Sequence, residues 1–219
     1  PKFIKIASSD ITDSYLMKLI KDSRKKVILS TGMSNKKEIK SALKILGKRI
    51  FLLHCVSQYP CEKKNANIKR MITLKNEFKV NVGYSDHTTG TKACLLAIML
   101  GAQMIEKHFT INKKLKGLDH KISADQEDLK SIVEFGKSKN IILGNGHINP
   151  GKTETKNKKI FRKGVYYNKN FERGEKISLS KILIGRPETK LKINQIERIL
   201  NKRIRKNVSK FSEIKMSDF

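Results

Sequence analysis

Short apolar runs of strand character recur every two to three dozen residues along the first two thirds of the chain, at 3–7, 26–29, 50–56, 80–83 and 103–106. Stretches with helical spacing of apolar residues follow them, at 14–25, 36–46, 67–78, 91–101 and 124–139. A strand and a helix in repeated alternation make each connection a helical crossover, which leaves successive strands parallel. The runs are nearly continuous in apolar character, as expected of parallel strands covered on both faces. The pattern therefore predicts an α/β fold with a parallel sheet.

Each predicted strand ends in polar or reactive residues. In order these are Ser8, Ser9 and Asp10; Ser30, Thr31 and Gly32; His54, Ser57, Gln58 and Tyr59; Ser85, Asp86 and His87; and Lys107, His108 and Thr110. Strand ends converge in a β/α barrel, whose active site lies at that face, so five functional strand ends favour a barrel over an open sheet. A closed barrel of this type needs eight units. The remaining three are expected on the amino-terminal side, where the chain opens on Pro1 instead of Met.

The pattern stops in GNGHINPGKTETKN, whose Gly, Pro, Asn and Lys content reads as a linker. The expected organisation is a barrel part at 1–145, a linker at 146–159 and a small unit at 160–219. The last has few apolar residues and is expected to bury little core by itself.

Composition narrows the function classes. The formal charge is +28, yet Lys outnumbers Arg 39 to 9, and 20 of the 48 basic residues share the 152–219 segment with 7 acidic ones. Nucleic-acid sites draw on Arg forks and aromatic platforms, so this excess reads as a Lys-rich solvated surface; a polyanion-binding module remains the alternative from another class. Cys55, Cys61 and Cys94 fit neither a zinc pair nor a disulfide framework and are expected to be reduced thiols of a cytoplasmic protein. No apolar run approaches the length of a membrane span, and no signal peptide is visible.

His87 and His108, at successive strand ends, are placed to share one divalent metal through neutral imidazole nitrogens. Asp86 and Glu106 precede them and are expected to supply supporting or substrate contacts. His120 is a further polar candidate, whereas His54 and His147 are expected to serve packing and the linker. Lys5 alternates with Ile4 and Ile6, so it faces away from them; with Ser8 near, it suits a phosphate or carboxylate, the alternative being a surface Lys beneath a helix.

Taken together, KIASSDIT, ILSTGM, LLHCVSQYP, VGYSDHTTG, IEKHFT and GLDHKIS resemble, in order and spacing, the sialic acid synthase family, which includes N-acetylneuraminate, legionaminate and pseudaminate synthases. The run RKGVYYNKNFERGEKISLSKILIGRP resembles the antifreeze-like (SAF) domain that follows the barrel in that family. The resemblance implies a partial TIM (β/α)8 barrel, its strands the fourth to eighth, then an SAF domain. It implies condensation of phosphoenolpyruvate with N-acetylmannosamine or a related acetamido hexose to a nine-carbon 2-keto acid and phosphate, with Mn2+ or Mg2+ as cofactor. By the same resemblance His87 and His108 are metal ligands, Lys5, Ser8 and Ser85 bind phosphoenolpyruvate, and Asp10, Tyr59, Asp119 and Arg186 contact the sugar. Arg186 would do so across a domain-exchanged homodimer. The catalytic Glu of the family matches no residue in this chain. Departures from the pattern are Ser9 and Asp10 in the first motif, Leu118 where Pro is common, and Ser57 and Gln58 where some members use Asn.

Overall fold

The computed structural model describes residues 1–117 and 119–219; Leu118, one of the departures above, lies outside them. Two compact units divide the chain, Pro1–Asn145 and Gly146–Phe219. The first unit runs β1 (Phe3–Ile6), α1 (Ser14–Asp22), β2 (Lys26–Ser30), α2 (Lys36–Leu46), β3 (Ile50–Cys55), α3 (Lys69–Phe78), β4 (Asn81–Asp86), α4 (Lys92–Met99), β5 (Ile105–Lys107) and α5 (Gln126–Leu143). The strands pair in sequence order, every pair parallel.

Local chemistry marks where helices begin. Asp13 accepts the Leu16 amide at the start of α1, Asn35 and Glu38 form a reciprocal capping box on α2, and Asp125 accepts the Asp128 amide on α5. Each side chain satisfies amides that the first helical turn leaves without a partner.

Strand side chains alternate between two environments. Ile4, Ile6, Val27, Leu29, Ile50, Leu52, Val82 and Tyr84 pack with Met17, Ile20, Ile39, Met71, Leu74 and Ala97 of the helices. Phe3, Ile28, Phe51 and Leu53 occupy the opposite phase of the alternation, and the rings of Phe3 and Phe51 meet edge to face at 6.1 Å. Helices thus cover one face only. The near-continuous apolar runs arise because the inward residues low on the strands are apolar too, not because helices lie on both sides.

The sheet is strongly curled. Lys5 on β1 reaches Glu106 on β5 at 3.2 Å, although three strands stand between. In a flat sheet four strand spacings would separate their backbones by about 19 Å, more than the two side chains span. The first unit is accordingly a half-barrel of five parallel strands. Gly83 permits the tight fit at β4: a Cβ there would lie 2.4 Å from the Met104 carbonyl oxygen.

In the second unit, α6 (Lys152–Phe161) precedes an antiparallel pair, β6 (Gly164–Tyr167) and β7 (Ile182–Gly185). The helix falls largely within the stretch expected to be linker. Gly151 begins it, no Gly or Pro interrupts KTETKNKKIF, and Glu154 in the first turn with Lys158 and Lys159 in the last suits the helix dipole. Val165, Tyr167, Phe171, Ile177, Leu191, Ile199 and Ile204 are among the buried residues of a core that this unit forms by itself, contrary to the little core expected. Among the described residues no helix is long and apolar enough to cross a membrane.

His54 takes the packing role expected of it. It is fully buried on β3, its Nε2 bonded to the Ala66 carbonyl at 2.8 Å, while Nδ1 has no hydrogen-bond partner among the described residues. Burial pushes its pKa down and Arg70 adds to this, while the Ala66 carbonyl partly opposes it. The folded chain therefore resists a proton that the unfolded chain accepts near pH 6.5, so this contribution to stability is complete above that pH and is lost as pH falls below it. Thermal melts between pH 7.5 and 5, on the order of one unit either side of the ordinary imidazole pKa, should show a falling midpoint that His54→Gln flattens.

Candidate active site

The ends of the five strands enclose a cleft of about 390 Å³. Lys5, Ser8, Tyr59, Ser85, His87 and His108 of the predicted site all line it. Two chemically distinct groups share the space.

The first is a cation with hydroxyl groups. Glu106 Oε1 accepts from Ser85 Oγ at 2.7 Å and faces Lys5 Nζ at 3.2 Å. The Gly32 amide donates to Ser8 Oγ at 2.9 Å. A Cβ on Gly32 would stand 2.4 Å from Ser57 Oγ and 2.9 Å from Ser8 Oγ, so the glycine is what allows two hydroxyls to converge beside a main-chain amide. Ammonium and hydroxyl donors of this kind suit phosphate and carboxylate oxygens. The buried Cys55 thiol lies among them; burial pushes its pKa up, which keeps it a protonated thiol at neutral pH. All three cysteines are free.

The second group is aromatic and imidazole. The rings of His87 and His108 are 5.4 Å apart, and Tyr59 lies 4.0 Å from the first and 5.9 Å from the second. His87 Nδ1 meets the Val56 carbonyl at 2.8 Å. A carbonyl can only accept, so Nδ1 carries the proton and the neutral ring presents its Nε2 lone pair, the arrangement found in metal-binding imidazoles. Asp119 approaches His108 Nδ1 at 3.7 Å, carried there by the chain that follows β5. Among the described residues no group of three or more His, Cys, Asp or Glu is arranged to hold a metal. The two neighbouring imidazoles are the nearest approach to such a group, one short of that number.

Other expected residues fall elsewhere. Asp10 sits in a short 3-10 turn, Ser8–Asp10, accepting from Ser9 Oγ at 3.0 Å, and is not among the residues lining the cleft. Arg186 is exposed in the second unit, just past β7. His120 bonds Thr110 Oγ1 at 2.8 Å.

Of the supporting or substrate contacts expected of Asp86, the substrate contact does not hold. The side chain points to the helix side, where Oδ2 meets Lys107 Nζ at 2.7 Å and Oδ1 accepts the Thr88 amide at 2.8 Å and the Tyr84 hydroxyl at 3.2 Å. Alternation explains this: Ser85 and His87 face the cleft, so Asp86 between them cannot, and the same reasoning turns Lys107 away from Glu106 and His108. The Asp86 and Lys107 side chains are 0% and 4% exposed. Burial, followed by the Asp86 charge, pushes the Tyr84 and Cys94 pKa values up. Ser30, named above only as a strand-end residue, also lines the cleft, as do Met33 and Cys55, which sequence reasoning passed over as site residues, although counting by twos from Lys5 across the register reaches Ser30 and Cys55.

Lys107→Ala leaves the Asp86 carboxylate buried without its cation. The expected cost is about 3–5 kcal/mol, read as a large fall in the urea midpoint.

The NeuB family model matches residues 1–148. The N,N'-diacetyllegionaminic acid synthase of Campylobacter jejuni is 40% identical over 94% of this chain and 64% of its own length. That of Legionella pneumophila is 34% identical over 95% of the chain and 61% of its own length. The chain therefore spans less than two thirds of these curated relatives. The crystal structure of the N-acetylneuraminic acid (sialic acid) synthetase from Leptospira borgpetersenii, in complex with citrate, aligns with TM-score 0.64 at 39% identity, covering 71% of this chain and 56% of that one. The spore coat polysaccharide biosynthesis protein SpsE from Bacillus subtilis aligns over 100% of this chain and 67% of that one, with TM-score 0.62 at 25% identity.

Proposed function

The chain belongs to the NeuB family, and on that premise we propose that the protein carrying it condenses phosphoenolpyruvate with an N-acylated hexosamine in the cytoplasm. Carbon 3 of phosphoenolpyruvate bonds to the sugar aldehyde carbon, one water is consumed, and the products are a nine-carbon 2-keto acid and phosphate. The observation that carries this reading is the pairing, in one strand-end cleft, of a cation and hydroxyl cradle with two adjacent imidazoles. The five strands correspond on this reading to the fourth to eighth of a TIM barrel.

Lys5, Ser8 and Ser85 hold the phosphate and carboxylate oxygens of phosphoenolpyruvate. His87 and His108 hold a divalent ion, Mn2+ or Mg2+, which supplies Lewis-acid polarisation of the sugar carbonyl when bound. Tyr59 packs against both imidazoles and offers its ring and hydroxyl to the sugar, and Asp119 accepts from sugar hydroxyls beside His108. Asp10 is carried over as a sugar contact by the resemblance alone. So are the SAF identity of the second unit and the role of Arg186 in a partner copy's cleft within a domain-exchanged homodimer.

N-acetylmannosamine is the first candidate acceptor. The names of the Campylobacter and Legionella relatives favour a second, a 2,4-diacetamido hexose leading to a legionaminate-type product. Phosphate release from phosphoenolpyruvate, measured with each sugar in turn on the complete protein, decides between them. Activity should vanish with EDTA, return with Mn2+ and be abolished in His87→Ala. Lys5→Met should weaken phosphoenolpyruvate binding about 10- to 100-fold, as expected for a charge-assisted bond. Release with neither sugar, or undiminished turnover in His87→Ala, would rule the reading out.

A further inference from the structure

Asp86 and Lys107 touch nothing in the cleft, yet each immediately precedes one of its two histidines. They also form the last registered pair between β4 and β5, because the ladder ends at Asp86↔Lys107. His87 and His108 thus lie one residue beyond the backbone pairing that would otherwise fix their separation. Between β4 and β5, side chains continue the connection from that point. Lys107 Nζ bonds Asp86 Oδ2 and the Thr88 carbonyl, both at 2.7 Å, and Asp86 Oδ1 accepts the Thr88 amide at 2.8 Å. One ammonium from β5 therefore grips β4 on both sides of His87. Cys94 Sγ, 3.2 Å from Asp86 Oδ2, ties the same carboxylate to α4.

We infer that the buried Asp86–Lys107 pair is a positioning device that sets the separation of the two imidazoles, and with it the affinity of the cleft for a divalent ion. Buried ion pairs contribute little net stability compared with uncharged side chains of similar shape, so stability alone does not account for this one. What it supplies is direction: two short bonds to residues flanking His87 tie β5 to β4 where their own ladder has ended, while main-chain bonds from the Cys61 and Ala124 amides hold the His87 and His108 carbonyls to other segments. Asp86 and Lys107 are positioning residues, since neither reaches the cleft. The metal half of the inference rests on the reading of His87 and His108 as ligands.

The test compares the full chain with Asp86→Asn/Lys107→Met, which removes both charges together while leaving an acceptor for the Thr88 amide. Crystal structures give the ring separation, thermal melts give stability, and titration with Co2+ reports imidazole ligation through its visible spectrum. The double variant is expected to melt near the wild type and to displace the rings from their 5.4 Å separation by about 1 Å, a shift large enough to spoil a ligand set. Its Co2+ affinity should fall about 10- to 100-fold, the range for groups that orient metal ligands. Unmoved rings with unchanged affinity would overturn the inference and leave the metal reading intact. If wild type binds Co2+ no better than His87→Ala/His108→Ala, the metal reading and the affinity half of the inference fail together, and the ring separation in the double variant still decides the positioning half. Should the double variant not fold, Lys107→Arg replaces it: the charge remains, but a planar guanidinium cannot reproduce both short bonds of the compact ammonium, so the rings should move and Co2+ affinity fall in the same sense.

Discussion

The two-residue alternation along the parallel strands is the constraint from which the rest of this half-barrel follows. On β4 and β5 it sends Ser85, His87, Glu106 and His108 to the cleft and Tyr84, Asp86 and Lys107 beneath the helices. A slip of one residue in the register would exchange the two sets, burying imidazoles under α4 and exposing an ion pair. Helix packing through Val82, Tyr84 and Ala97 therefore fixes which side chains can do chemistry. The core and the cleft are two readings of one register.

Curl completes what alternation begins. It brings Lys5 on the first strand against Glu106 on the fifth, so an anion entering the cleft meets an ammonium that already has a partner. Binding there exchanges one carboxylate for another oxygen anion at the Lys5 head, and the gain is the difference between the two contacts. Both side chains are partly exposed, so solvent screens the exchange and keeps it reversible. Against this local balance the +28 of the whole chain carries little information. Its ion pairs are spread over the surface, as in Lys36–Glu77, Lys113–Asp125 and Lys192–Glu188, and Lys5 is the one Lys or Arg among the described residues lining the cleft.

Much of the half-barrel was legible because its strands are apolar on both faces in their lower halves. The runs expected at 3–7, 26–29 and 50–56 correspond to β1, β2 and β3 within a residue or two. The run at 80–83 ends well short of β4 (Asn81–Asp86), since Ser85 and Asp86 are polar where the strand reaches the cleft and apolarity stops marking it, whereas the run at 103–106 starts before β5 (Ile105–Lys107) and stops at Glu106. The same turn to polar side chains made Ser8, Ser85, His87 and His108 visible as candidates. Their neighbours were misjudged where adjacency in sequence was taken for adjacency in space: Asp86 lies next to His87 and on the other side of the sheet. The approach of Asp119 to His108 had no signal in spacing, because a loop closes it. Helix α6 was hidden by the Gly and Pro that precede it.

A polar strand end has a structural consequence as well as a chemical one. Phe3, Ile28, Phe51 and Leu53 fill the lower part of the concave face, and above them the lining is hydroxyl, thiol, imidazole and charge. The upper layer buries little apolar surface, so it adds little to the hydrophobic stabilisation of the fold. Its order must come from directed bonds: the Gly32 amide to Ser8, Ser85 to Glu106, His87 to the Val56 carbonyl, and beneath them Lys107 to Asp86 and Thr88. Each of these runs between neighbouring strand units or across the mouth. Removing one of the bonds within the cleft relaxes the relation between two strand ends while the hydrophobic layer below stays in place; the buried pair keeps stability only when both charges are replaced together. Geometry at the cleft and stability of the half-barrel are thus held by different forces, which is why the first can be altered with the second largely kept.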